Sequence, residues 1–288
     1  MEMSGVQKPI TLLVYLSTYQ LVNLLTTSST NTFAFMHYTL KKSLGQHFLK
    51  DENVCRKIIS ALGKQKFERL LEIGPGGGAL TKFLLNIDGI DFKAIELDEE
   101  KVNYLSRAYP ELNGKLIHED FLEASAPFEQ EFIIIGNFPY NISSQILFKI
   151  LEWKEKVPAV IGMFQKEVAQ RIISKPNSKS YGILSVLVQA FYDVHYLFDV
   201  PPSCFVPPPK VMSGVIELNI RSAPVQPKTE KELFTLVKTA FNQRRKKLRN
   251  AVRSLFDDDI LTDAIFDKRA EQLSVEDFAN LTFKMKEV

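Results

Sequence analysis

From Phe67 onward, short apolar runs alternate with stretches of helical spacing, and this alternation sets the first expectation for the fold. Arg69-Leu70-Leu71-Glu72-Ile73 and Phe92-Lys93-Ala94-Ile95-Glu96 read as strands, and the stretches from Ala79 to Asn86 and from Glu99 to Ala108 read as the helices that follow them. Lys115 to His118 and Phe132 to Ile135 add two further strands. Strands separated by helices of this length predict a parallel, doubly wound α/β sheet of the Rossmann-like kind, whose ligands bind beyond the carboxyl ends of the strands. Any chemistry is therefore expected just after Ile73, Glu96, His118 and Ile135.

Further along, Pro201-Pro202-Ser203-Cys204-Phe205-Val206-Pro207-Pro208-Pro209 is too rich in proline for a helix or a central strand and reads as a rigid loop. Val215 to Ile220 resumes as a strand, and the stretch from Ser222 to Pro227 reads as a linker. Beyond it the apolar spacing of Leu233, Leu236, Val237, Ala240, Phe241, Leu248, Ala251, Val252 and Leu255 is helical throughout, and Ser274-Val275-Glu276-Asp277 resembles a capping box. The expected organisation is a Rossmann-like domain over residues 37–222 and a small all-helical domain over 228–288.

Composition narrows the class. The chain has 288 residues, 45% of them hydrophobic, enough for a substantial core, and a formal net charge of +2, so any nucleic-acid surface must come from local clustering. Cys55 and Cys204 stand far apart with no histidine spaced to join them, which argues against a disulfide framework and a metal site and makes a reducing cytoplasm the expected compartment. Residues 1–36 differ from the rest: Glu2 and Lys8 are their charges, around an apolar stretch from Ile10 to Leu25. A leader or anchor and a structural element are both open readings, but no positive cluster precedes the stretch and polar residues interrupt it. A non-functional extension ahead of Met36, with no membrane association, is the expectation.

Glu72-Ile73-Gly74-Pro75-Gly76-Gly77-Gly78-Ala79 runs from a strand into a glycine-rich turn and a helix. It satisfies the dinucleotide pattern G-x-G-x-x-A, with Glu96 at the end of the next strand as a ribose-binding acid. Glu72 and Pro75, however, ill suit a pyrophosphate cradle, which needs free backbone N–H groups and no negative charge. They suit a cofactor without phosphate, such as S-adenosylmethionine, whose amino and carboxylate groups can use Gly74 and Gly76 and whose ribose hydroxyls can bond Glu96. Asp120 can accept from the exocyclic amine of a bound adenine while Leu97 or Phe121 packs on the ring; the alternative is that Asp120 caps a turn.

Asn137-Phe138-Pro139-Tyr140 ends the most apolar of these strands with an amide, a proline and a phenol. An exocyclic base amine is a poor nucleophile because its lone pair is delocalised into the ring. Methylating it requires acceptors for its two N–H groups and a surface that grips the base flat. The Asn137 side-chain carbonyl offers one acceptor, the Phe138 or Pro139 backbone carbonyl a second, and Tyr140 a stacking face worth about 1–3 kcal/mol.

Lys42-Ser43-Leu44-Gly45-Gln46-His47-Phe48-Leu49, Glu72 to Gly76, Glu96-Leu97-Asp98, Asn137 to Ser143, Gln165-Lys166-Glu167-Val168, Pro201 to Val211 and Phe241 to Lys246 together resemble the ribosomal small-subunit RNA adenine dimethyltransferase family, in order, from about residue 38 to the end. The resemblance implies a class I S-adenosylmethionine-dependent sheet and dimethylation of N6 on two adjacent adenosines in a hairpin loop near the 3′ end of the small-subunit rRNA. The expected partner is that rRNA within an assembling ribosomal subunit, met by a monomeric enzyme. It further implies that His47, Leu49, Gly74, Glu96, Asp120 and Asn137 line the cofactor site, and that Phe205 faces the target base opposite Tyr140. Two positions depart from the family's commoner residues: His47 stands where Asn is frequent, and Phe138 replaces a Leu. For RNA contact the sequence offers Arg244, Arg245, Lys246, Lys247, Arg249 and Arg253 with no intervening acid, joined by Lys175 and Lys179 in a polar loop.

Overall fold

Ile133 and Ile135 pack on one side of their strand and Ile134 on the other, each in a separate hydrophobic cluster. A run with no polar face is what a strand in the middle of a two-sided sheet requires. The computed structural model, which describes residues 47–63 and 66–286, places that strand at the centre of a seven-stranded sheet. In chain order the elements are β1 (Phe48–Leu49), α1 (Glu52–Leu62), β2 (Arg69–Ile73), α2 (Thr81–Leu84), β3 (Asp91–Glu96), α3 (Glu99–Ala108), β4 (Leu116–His118), β5 (Ile133–Asn137), α4 (Ser143–Glu152), β6 (Ala159–Gln165), α5 (Lys166–Ile173), α6 (Ile183–Gln189), β7 (Tyr192–Val200), β8 (Phe205–Val206) and β9 (Ser213–Ile220).

The sheet order is β4-β3-β2-β5-β6-β9-β7, parallel from β4 to β6, with β9 antiparallel to both of its neighbours. The chain leaves β2 outward through β3 and β4, then returns to start again at β5 on the other side. The switch point therefore lies between the carboxyl ends of β2 and β5, where a doubly wound sheet holds its ligand.

β2 and α3 fall where the pattern predicts them. β5 runs on past the expected end at Ile135, because Gly136 and Asn137 still pair with Gly162 and Met163 of β6; Asn137 is thus held on the sheet rather than on a loop. The helix expected from Ala79 to Asn86 is regular only as α2, since the glycine turn occupies the residues before it. The proline-rich stretch is not loop throughout. Leu49 and Phe48 pair antiparallel with Phe205 and Val206, a two-stranded ribbon that no local pattern announces.

Beyond β9 the described chain is helical: α7 (Glu230–Asn242), α8 (Leu248–Ala251) and α9 (Val275–Thr282), linked by short 3-10 turns. The capping box at Ser274 forms as predicted, Ser274 Oγ accepting from Asp277 N at 3.0 Å and Asp277 Oδ2 from Ser274 N at 2.9 Å. Leu233, Leu236, Val237 and Phe278 belong to the same buried cluster as Ile146, Phe164 and Leu187 beneath the sheet, and Lys154 pairs with Glu230 at 2.7 Å. Burying each such large apolar side chain contributes about 1.5–3 kcal/mol, so these helices are fastened to the sheet by a common core. The expected extension over residues 1–36 lies outside the described residues, as does the Lys42 to Gln46 part of the first motif.

Candidate active site

At the switch point the loops after β2, β3, β4 and β5 surround a cavity of about 220 Å³. His47, Leu49, Gly74, Gly76, Glu96, Leu97, Asp120, Phe121, Asn137, Pro139 and Tyr140, scattered along the sequence, all line it.

The first wall is the glycine turn. Gly74 and Gly76 take φ values of +65° and +58°, backbone conformations that L side chains rarely adopt, and a Cβ on Gly76 would press on the Phe48 ring at 3.4 Å. The turn is tied to β3 twice: Gly74 N donates to Ile95 O at 2.9 Å, and Gly76 N donates to Glu96 Oε2 at 3.0 Å. The other oxygen of Glu96 accepts from Leu97 N at 3.1 Å and Asp98 N at 3.0 Å. These three N–H donors suit a carboxylate, which only accepts, and hold Glu96 in one rotamer at the cavity wall.

The charge balance tests which cofactor fits. Glu96, Glu119 and Asp120 line the cavity against a single lysine, Lys101, with the buried Glu72, whose carboxyl burial pushes up to about 8, beside them, and the Gly76 N–H is already engaged by Glu96. A pyrophosphate would meet acids and find a spent donor. A cationic cofactor meets a complementary field, so the residues fit S-adenosylmethionine and not a dinucleotide. Asp120 does cap its turn, Oδ1 accepting from Leu122 N at 2.9 Å, and this bond leaves the second oxygen for a ligand. Leu97 and Phe121 divide unequally: Leu97 is 51% exposed at the mouth, whereas Phe121 is buried edge-on against Trp153 and supports the floor.

The second wall is the end of β5. Asn137 Nδ2 donates to His47 O at 3.3 Å, so Oδ1 is the free acceptor end of the amide. Pro139 O already accepts from Ser143 Oγ at 3.0 Å, which leaves the Phe138 carbonyl as the better second acceptor. Phe138 turns its ring into the core, where a Cβ on Gly136 or Gly162 would come within 2.5 or 2.6 Å of it. The larger ring is thus accommodated by two glycines on neighbouring strands. The Tyr140 hydroxyl is bonded to Ser213 Oγ at 2.5 Å, and burial pushes its phenol up, against that bond. His47 joins the walls: its ring lies 5.7 Å from that of Tyr140, and Nδ1 donates to Pro207 O at 2.8 Å.

Two expectations change. Phe205 is not a loop aromatic over the cavity: it is 1% exposed, paired with Leu49 and packed with Cys204 and Leu49 in the cluster behind the cavity wall, because the ribbon pulls it inward. The basic run, unopposed in sequence, is opposed in space. Arg244 pairs with Glu271 at 2.5 Å, Lys247 and Arg249 both with Asp267 at 2.7 and 2.8 Å, and Arg253 with Asp258 at 3.6 Å. Arg245 and Lys246 are exposed with no ion-pair partner among the described residues. Lys175 and Lys179 are exposed on a loop that docks beside them, through Arg244 Nη2 to Ser178 O at 3.3 Å and Asn177 N to Glu271 O at 2.7 Å.

Lys101 and Ser213 were not foreseen as site residues, and Glu72 is expected to suit a cofactor without phosphate but is given no role of its own. Glu72 carried a signal, an acid inside an apolar strand, and Lys101 a weaker one, a cation in the first turn of a helix, where the helix dipole disfavours it. Ser213 carried none, because its partner Tyr140 is reached only across the sheet. Among the described residues there is no group of three or more His, Cys, Asp and Glu that could hold a metal, and no helix long and apolar enough to cross a membrane.

Comparison with known proteins places this geometry. Residues 37–286 match the family model for ribosomal RNA adenine dimethylase. The chain is 53% identical over 250 residues to a ribosomal RNA small subunit methyltransferase A of Flavobacterium johnsoniae, covering 85% of this chain and 95% of the relative. It is 51% identical over 246 residues to the protein of that name from Cytophaga hutchinsonii, covering 84% and 95%. Among solved structures it resembles a dimethyladenosine transferase from Plasmodium falciparum, with TM-score 0.69, 25% identity and coverage of 82% of this chain and 96% of the other. The 23S rRNA methyltransferase ErmE shares the fold at TM-score 0.59 and 22% identity, over 81% and 99% of the two chains. With a family model spanning nearly all of the described chain and relatives more than half identical, this chain belongs to the ribosomal RNA adenine dimethylase family.

Proposed function

We propose that this protein dimethylates N6 of two adjacent adenosines in the 3′-terminal hairpin loop of the small-subunit rRNA, acting as a monomer in the cytoplasm on an assembling subunit. The observation that carries the reading is the end of β5: an amide whose nitrogen is tied back to His47, the backbone of Phe138 and Pro139 beside it and a phenol tethered to Ser213, all from residues that line the cradle.

S-adenosylmethionine supplies an electrophilic methyl group on a sulfonium. In this chain Glu96 would hold the ribose, Asp120 and Leu97 the adenine, and the turn at Gly74 and Gly76 the amino-acid end. Asn137 Oδ1 and the Phe138 carbonyl accept the two N–H groups of the flipped-out target base, turning its nitrogen lone pair toward the methyl. Tyr140 stacks on the base, and its hydroxyl stays neutral and tied to Ser213. No strong base is needed, since the methylated amine loses its proton to water. Phe205 supports this arrangement from behind rather than touching the base. Residues 37–222 form the catalytic part in this reading. Residues 228–288, with Arg244, Arg245, Lys246, Lys247 and Arg249 beside Lys175 and Lys179, present the RNA-contacting surface.

The test is radiolabelled methyl transfer to unmethylated small subunits with mapping of the modified bases. Label on the paired adenosines is expected; label confined to large-subunit rRNA or DNA overturns the substrate assignment. Asn137→Ala should lower the turnover about 10²–10³-fold, the usual effect of losing one polar group aimed at the reacting centre, while S-adenosylmethionine still binds.

A further inference from the structure

Most cations of the helical segment are held by acids, and one is held differently. Lys238 is exposed on α7, with its Nζ 5.5 Å from the centre of the Phe148 ring and 5.9 Å from that of Phe234, and it has no ion-pair partner among the described residues. The acids of α4 and α7 are engaged by other lysines: Glu230 by Lys154 at 2.7 Å, Glu232 by Lys228 at 3.4 Å and Glu152 by Lys149 at 3.3 Å. An acid fixes a lysine and cancels its charge. Two aromatic rings fix it as well, for about 0.5–1 kcal/mol at an exposed site, and leave the charge to be used.

The course of two helices sets where that charge stands. α4 and α7 run antiparallel: Lys154, just beyond α4, meets Glu230 at the start of α7, and further along Phe148 meets Phe234 with ring centres 6.3 Å apart. Followed back from Phe148, α4 reaches Ile142 and Asn141 on the cavity rim, about 9 Å away at the helical rise per residue. Followed forward from Phe234, α7 passes Lys238 and ends at Asn242, just before the basic run. Lys238 therefore stands between the cavity and the unpaired Arg245 and Lys246.

We infer that Lys238 takes a phosphate of the RNA strand beside the flipped-out adenosine, and so ties the reacting nucleotide to the basic surface. The inference rests on the rRNA reading of the site given above. Flipping turns a nucleotide about its backbone, so the phosphates on either side of it stay at the mouth while the base enters. α4 follows directly on the Asn137–Tyr140 wall that receives the base in that reading, which brings the backbone to the seam where Lys238 lies. The competing account is a lysine that only steadies the packing of α4 on α7.

Binding of a small-subunit rRNA hairpin that carries the paired adenosines, measured against salt with the full chain, separates the two. Lys238→Gln should weaken binding several-fold at low salt and lower the slope of log K against log salt by about 0.7, the single-strand value for one phosphate, so that its deficit shrinks about five-fold for each tenfold rise in salt. Lys238→Arg keeps the charge and stacks on the same rings, and should keep the wild-type slope. A neutral methylphosphonate at one of the linkages flanking the adenosines should weaken wild-type binding and cost Lys238→Gln nothing further, because both changes remove one contact. An unmoved slope in Lys238→Gln, with or without a fall in Tm, a slope in Lys238→Arg as low as that of the Gln variant, or additive losses at every flanking linkage overturns the inference. Failure of the wild-type chain to bind the hairpin overturns the rRNA reading itself.

Discussion

The cradle and the basic segment both present charge to a ligand, but they set it by different means. In the cradle the donors are backbone N–H groups, and two of the three that hold Glu96 come from Leu97 and Asp98 within a single bend of chain, the third being Gly76 of the neighbouring turn. In the basic segment the donors are long side chains, and most already hold an acid brought from elsewhere: Glu271 for Arg244, and Asp267 for Lys247 and Arg249. Local geometry sets the first and tertiary structure the second. A count of charged letters therefore describes the cradle well and overstates the segment.

The comparison breaks most sharply at Glu96. Glu96→Ala leaves three backbone donors facing a void and removes the ribose acceptor. Hydrogen bonds to charged groups are worth about 1.5–3 kcal/mol each, so the Kd for S-adenosylmethionine should rise about 10–100-fold by calorimetry, with RNA affinity little altered. Unchanged cofactor affinity would show that the backbone, not the carboxylate, makes the cradle.

A smaller effect is expected across the sheet. Ser213→Ala removes the tether of the Tyr140 phenol, a bond worth about 1 kcal/mol, and should raise KM for the RNA about five-fold at unchanged cofactor Kd. Tyr140→Phe breaks the same bond from the other end. The double variant should be no worse than either single one, because residues sharing one interaction are not additive; additive losses would deny the tether its role.

Much of this site can be read from the chain, and the exceptions share a cause. Gly74, Glu96 and Asn137 sit at the ends of parallel strands, and in a doubly wound sheet those ends converge, so period and order suffice to bring them together. Phe205 misleads because its neighbours are prolines, which speak for a loop, while its burial is decided by pairing with Leu49 far away in sequence. Ser213 and Asp267 are silent for the same reason. Their partners come from other elements, and no local spacing encodes the contact. Of the elements from Ser143 to Val200, which the pattern left unassigned, β6 and α6 are largely buried and so show no polar face, whereas α5 and β7 are mostly part-exposed.

The sharpest small test of the basic segment is to remove its internal counter-charge. Hydrogen bonding to Lys247, aided by the neighbouring Arg249, holds the Asp267 carboxyl below its ordinary range, so it is a standing competitor for any phosphate that approaches. Exposed pairs of this kind contribute little to stability, and Asp267→Asn should fold normally. It should bind a small-subunit rRNA hairpin a few-fold more tightly at low salt, with the slope of log K against log salt steeper by about 0.9 for each freed cation that reaches a duplex phosphate. Lys246→Ala, which removes a cation with no ion-pair partner among the described residues, should flatten the slope by a similar step. If the Asn variant instead leaves both affinity and slope unchanged while Lys246→Ala weakens binding, then Lys247 and Arg249 serve to hold the 3-10 turn around Asp267. The RNA surface would then contract to Arg245, Lys246 and the Lys175–Lys179 loop.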